Sequence, residues 1–164
     1  MATNAILYRM PYGIPGDVTR QSQSTIEPQL FNPAATFPAY GLFGKIDNGR
    51  FVPIGAGDAA AAVYGLLVRP FPTQSASTAM GIAQPPATGP ADVLRRGYAA
   101  VKLRGSAAAA LNGQVYVRVA NETADQPIGG IEAAADSTNT IAVASCIFMS
   151  AADADGNVEI SFKV

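Results

Sequence analysis

The sequence predicts an all-β protein: an antiparallel β-sandwich, jelly-roll or barrel-like domain with an extended N-terminal arm and long Pro/Gly/Ala-rich loops. Three observations carry this. Apolar residues recur at every second position in several short runs, as in Val115, Val117 and Val119 or Val158, Ile160, Phe162 and Val164. Twelve prolines and sixteen glycines break the chain at short intervals. Asn48-Gly49 lies between two apolar runs, the strongest short hairpin signal, because a type I′ turn needs positive φ at both central residues.

Residues 1–40 carry prolines at 11, 15, 28, 33 and 38 and only four charged side chains, Arg9, Asp17, Arg20 and Glu27. Proline fixes its own φ and pushes the preceding residue to extended geometry, so this stretch reads as an arm or a chain of short edge strands. Ile6, Leu7, Tyr8, Met10, Tyr12, Ile14, Leu30, Phe31, Phe37 and Tyr40 are spread through it. An extended segment with so many apolar side chains must lie against a surface, its own domain's or a neighbour's. The expected division is an arm over 1–40 and a β-rich domain over 41–164.

The domain opens with the hairpin around Asn48-Gly49. Gly55-Ala-Gly57-Asp-Ala-Ala60 has dinucleotide-loop spacing on paper, but Pro53 cuts the preceding strand and no acid stands near position 80, so a turn with a short capped helix is favoured. Val63 to Val68 is apolar on both faces, as in a central strand. From Pro70 to Arg96 the prolines at 70, 72, 85, 86 and 90 suggest a contact loop. Ala99, Val101 and Leu103 alternate with Tyr98, Lys102 and Arg104, and the run from Gly113 to Ala120 alternates likewise. The Ser106–Asn112 link is short enough to join these two strands as antiparallel neighbours. Asn121 to Thr140 reads as a small-residue loop, Thr140 to Met149 as a strand, 153–157 as a turn, and Val158–Val164 as a half-buried edge strand with a polar outer face.

Composition narrows function. At 164 residues and 49% apolar content, one domain buries about 70% of its unfolded surface without disulfides or metal. The net charge of -1 supplies no field for nucleic acid or anionic membrane. Charged residues are 14% of the chain against about 25% in a typical domain, which suggests surface covered in use. The chain has no His, removing the commonest general base and most zinc sites. The single cysteine, Cys146, reads as a small core residue, and Asp153, Asp155, Asn157 and Glu159 depart from a calcium loop because Gly156 is fourth and Val164 twelfth. No catalytic residue, cofactor or metal is expected.

Gly16-Asp-Val-Thr-Arg20, Ala62-Val-Tyr-Gly-Leu-Leu-Val-Arg-Pro-Phe-Pro72, Val93-Leu-Arg-Arg-Gly-Tyr-Ala-Ala-Val-Lys-Leu-Arg-Gly105 and Gly113-Gln-Val-Tyr-Val-Arg-Val119 resemble the structural cement, or head decoration, proteins of tailed bacteriophages, over roughly residues 12 to 120. The resemblance implies a many-copy virion protein on the outer capsid surface that bridges major capsid proteins and stabilises the head, commonly as trimers or dimers. A β-module of a phage fibre that binds a receptor is the alternative, to be marked by exposed aromatics at loop tips. Contacts with the major capsid protein are expected at Tyr8, Tyr12, Arg20, Leu30, Phe31, Phe37, Arg69 and Phe71. A homo-oligomer, trimer ahead of dimer, is expected from the low charge and the exposed edge of Val158–Val164. A chain beginning near Pro38 is expected to fold and to fail to bind shells.

Overall fold

The computed structural model describes residues 13–70 and 84–164. Nine strands, β1 (Thr25–Leu30), β2 (Phe43–Asp47), β3 (Arg50–Pro53), β4 (Gly65–Leu67), β5 (Pro90–Arg104), β6 (Gln114–Arg118), β7 (Ile131–Glu132), β8 (Thr140–Phe148) and β9 (Asn157–Phe162), account for the regular structure of the described residues, with two single-turn 3-10 helices at Gln21–Gln23 and Ala60–Ala62. The described residues contain no α-helix, and no helix among them is long and apolar enough to cross a membrane.

Strand β5 is the spine. Its C-terminal part, from Gly97, pairs with β9 and, at Leu103–Arg104, in parallel with β7; β7 pairs with β6, β6 with β8, and β8 with β9. That circuit closes a five-stranded barrel. The N-terminal part of β5 instead pairs with β1 on one side and β4 on the other, and β2 and β3 continue that second sheet. It curls until Phe31, just past β1, bridges Phe51 of β3. Each curl has its own core: Val101, Val117, Val143, Cys146, Phe148, Ile160 and Phe162 belong to the barrel's, and Phe31, Phe37, Tyr40, Phe51, Leu67 and Val93 to the smaller one.

Gly97 sits where β5 passes from one sheet to the other, with φ +140°, and a Cβ there would lie 2.5 Å from Ser24 Oγ and 3.0 Å from Ser24 Cα. Both the backbone and the contact demand glycine. Gly97→Ala is expected to lose about 1–3 kcal/mol of stability, read by denaturant unfolding.

Several elements form as the sequence predicts. Asp47 pairs with Arg50 across Asn48 and Gly49, at φ 49° and 74°, a type I′ turn. Strand β4 is buried throughout between β2 and β5. Asp58 accepts from Gly55 N at 2.8 Å and from Lys45 Nζ at 2.6 Å, so the glycine-rich stretch is a turn. Asp153 Oδ1 accepts from Asp155 N and Asn157 N, fixing the last turn. Cys146 is fully buried, which pushes its thiol well above the ordinary range.

Other elements differ. The strand expected from Gly97 begins at Pro90, so the last seven residues of the expected 70–96 loop are sheet. Strands β5 and β6 are not neighbours, because the 105–113 link crosses the barrel instead of reversing: Ala109 enters the core and Asn112 N donates to Phe148 O. The vacant place between them is taken by β7, from within the expected 121–140 loop. Nor is β9 a half-buried edge strand. It lies between β5 and β8, and all six of its residues are buried. Two of its polar side chains are satisfied by the N-terminal segment: Glu159 accepts from Thr19 Oγ1 at 2.5 Å and Arg20 Nη2 at 2.9 Å, and Asn157 donates to Gly13 O at 3.2 Å.

That segment runs along β5, with Gly16 N donating to Ala100 O, Ala100 N to Asp17 O and Thr19 N to Tyr98 O. Residues 13–40 of the expected arm therefore lie against the chain's own domain; residues 1–12 fall outside the described residues. A chain beginning at Pro38 would lack β1 and the core rings of Phe31 and Phe37, and it is not expected to fold.

The barrel also encloses a charge. Arg118, 1% exposed, donates through Nε and Nη2 to Glu132 at 2.6 and 3.1 Å, through Nη2 to Asp136 at 2.9 Å, and through Nη1 to the carbonyls of Ala120 and Asn121. All five guanidinium N–H groups thus have acceptors. The hydrogen bond to Glu132 raises the Arg118 pKa, and the bonds from Asn139 and Arg118 lower that of Asp136.

Candidate partner-binding face

Strand β1 alternates the wrong way round for a solvent-facing edge. Its outward residues Ile26, Pro28 and Leu30 are apolar and exposed, Ile26 by 38% and Leu30 by 53%. Its inward residues are polar: Tyr64 Oη donates to Glu27 Oε2 at 2.8 Å, and Gln29 Nε2 donates to Tyr64 Oη at 3.1 Å. The bond to Glu27 raises the Tyr64 pKa. Arg95 secures the same corner, pairing with Glu27 at 3.3 Å and stacking over the Tyr64 ring. The polar side chains are half-buried and engaged with Tyr64 and Arg95, and the strand's apolar side chains lie on the opposite, exposed face.

Neighbouring β5 extends this face. Pro28 pairs with Asp92 and Leu30 with Pro90, and residues opposite one another in an antiparallel ladder share a face. Further along the same face, Leu66 and Leu94 are covered by the barrel core, whereas Pro28, Leu30, Pro90 and Asp92 are exposed. Asp92 makes no side-chain hydrogen bond or ion pair among the described residues. Two clefts flank the face. One, of about 190 Å³, is lined by Phe31, Tyr40, Leu67, Val68, Pro70, Pro86, Pro90, Ala91 and Asp92; the other, of about 430 Å³, by Asp17, Val18, Gln21, Ile26, Val68, Arg69, Pro70 and Asp92.

The expected contact residues divide sharply. Leu30 is on the face. Arg20 is partly exposed, held by Glu159 and stacked 4.0 Å over Tyr98, and its pKa is raised chiefly by the Glu159 hydrogen bond. Phe31 and Phe37, each 3% exposed, are core side chains of the smaller curl and offer no surface. Arg69 is buried under the Tyr40 ring at 4.7 Å, with Nε donating to Pro15 O. Burial raises the Tyr40 pKa, against the opposing pull of Arg69. Tyr8, Tyr12 and Phe71 lie outside the described residues. Sequence reasoning missed Ile26, Pro28, Pro90 and Asp92. The strict Ile-Glu-Pro-Gln-Leu alternation marks the first two, while the other two need the pairing of β1 with β5.

No curated protein matches the sequence. Among solved structures, a chain of "The capsid of Myoviridae Phage XM1" superposes with a TM-score of 0.69 at 21% identity, over 99% of this chain and 98% of that one, a likeness of fold. The family model described as XM1 gp53 minor capsid protein matches residues 3–162, nearly the whole length. The chain belongs to the XM1 gp53 minor capsid protein family and is a structural protein of the phage capsid, not an enzyme.

Proposed function

We propose that the protein is a cement protein: it sits on the outer surface of the capsid, bridges neighbouring major capsid proteins and stabilises the head. The observation that carries this reading is the outward apolar stripe of Ile26, Pro28 and Leu30 on β1. Contiguous apolar surface of this kind marks a protein contact, and in a shell many modest contacts add through avidity. A closed homo-oligomer, trimer ahead of dimer, belongs to the same reading, but it does not form through β9, which is not a free edge. The receptor-binding fibre module is not favoured: every aromatic side chain among the described residues is buried or half-buried.

Particles assembled without the chain should release DNA at a lower temperature than complete particles, and added protein should restore them. A cryo-EM map should place the protein on the outside, across seams between capsid subunits. Unchanged heat resistance, or density on the inner surface, would overturn the proposal.

A further inference from the structure

We infer that the face formed by Ile26, Pro28, Leu30, Pro90 and Asp92 receives an extended apolar segment of a capsid subunit carrying one basic side chain opposite Asp92, held by side chains and not by strand addition. This rests on the cement reading and names the partner chemistry of the same face.

The exclusion of strand addition follows from the ladder. Phe31 N donates to Gly89 O, so residues 31, 29 and 27 turn their backbone groups towards β5 and residues 30, 28 and 26 turn theirs outward. On the other side of β5, Val68 N donates to Asp92 O, which agrees with that parity. The central outward position is Pro28, which has no N–H to give. A guest strand would meet a missing donor in the middle of the edge, a device that blunts pairing.

Side chains are left to make the contact. From Ile26 to Leu30 the stripe runs about 13 Å, the reach of a short extended segment. Asp92 lies beside it, and covering an unpaired carboxylate with apolar groups is costly unless a cation comes with them. The chain's own exposed cation on β5, Arg96, is four residues along the strand, about 13 Å away. A second copy docked with its two-fold axis through Asp92 would set two carboxylates against one another. The geometry therefore selects a partner that is apolar, extended and basic at one position.

The test uses full-length protein and shells stripped of it, with melting curves confirming that each variant folds. Leu30→Glu should weaken binding more than about 100-fold, the cost of seating a carboxylate among apolar groups. Asp92→Asn should weaken it about 10-fold and flatten its salt dependence, and Asp92→Lys should weaken it further. Pro28→Val, which restores an N–H while keeping the surface apolar, should bind no more tightly than wild type. Wild-type affinity in both Asp92 variants would overturn the basic partner, and tighter binding by Pro28→Val would overturn side-chain docking. Wild-type affinity in Leu30→Glu would overturn the face while leaving cement function standing. Wild-type protein that fails to bind shells at all is instead the failure of the cement reading.

Discussion

Replacing Glu132 by alanine is expected to cost about 3–5 kcal/mol of folding stability, the range for leaving one partner of a buried ion pair uncompensated. Arg118 is sealed in the barrel wall, and Glu132 supplies two of its five acceptors while also accepting from Gln126 Nε2 at 2.9 Å. Asp136, the other carboxylate on Arg118, has a side chain 46% exposed and is a weaker substitute. The double change Arg118→Met with Glu132→Leu should be far milder than the single one, because replacing a whole buried pair by apolar groups is often neutral. Denaturant unfolding of the three proteins measures both. Equal losses in the single and double variants would show that strand packing matters here and the charge does not.

Phe51→Ala is expected to lose a further 3–5 kcal/mol by an unrelated route, the cavity left by a fully buried ring. Phe51 stacks on Phe37 with centroids 4.9 Å apart and faces Tyr64 at 6.4 Å. On its other side it packs so closely on Gly44 that a Cβ there would come within 2.4 Å of its ring. This ring is the centre of the smaller curl, yet β5 runs uninterrupted through both curls. The variant should therefore unfold in one shifted transition, with near-UV circular dichroism and tryptic cleavage moving together. Two separated transitions would mean that the curls are independent.

What the sequence reveals depends on how local each cause is. The hairpin at Asn48-Gly49, the doubly buried β4 and the turn at Asp153 are specified by residues adjacent in the chain, and all three form as read. Strand β7 has only two residues, too short for any period, and exists because the gap between β5 and β6 must be filled. The polar residues of β9 signal solvent, but here they meet a segment 139 and 140 residues earlier in the chain. Arg118 misleads in the same way: on the polar side of an alternating strand it reads as exposed, and only the fold brings Glu132 and Asp136 to it. The candidate face was half legible. Leu30 stands out in the sequence, whereas the buried rings of Phe31 and Phe37 read there as contact surface because a proline-broken stretch gives no sign of which way its side chains turn.

The shared strand also bears on how the molecule carries load. Fifteen residues of extended chain span about 50 Å, and along that length β5 is bonded to β1, β4, β7 and β9 in turn. Tension applied along its axis, between the β1 end and the barrel end, bears on many backbone hydrogen bonds at once. Bonds loaded in parallel yield only when all slide together, whereas a hairpin pulled open at its mouth surrenders them one at a time. A protein built on such a strand resists stretching far better than peeling, and the direction of pull in a swelling shell would decide which of the two it meets.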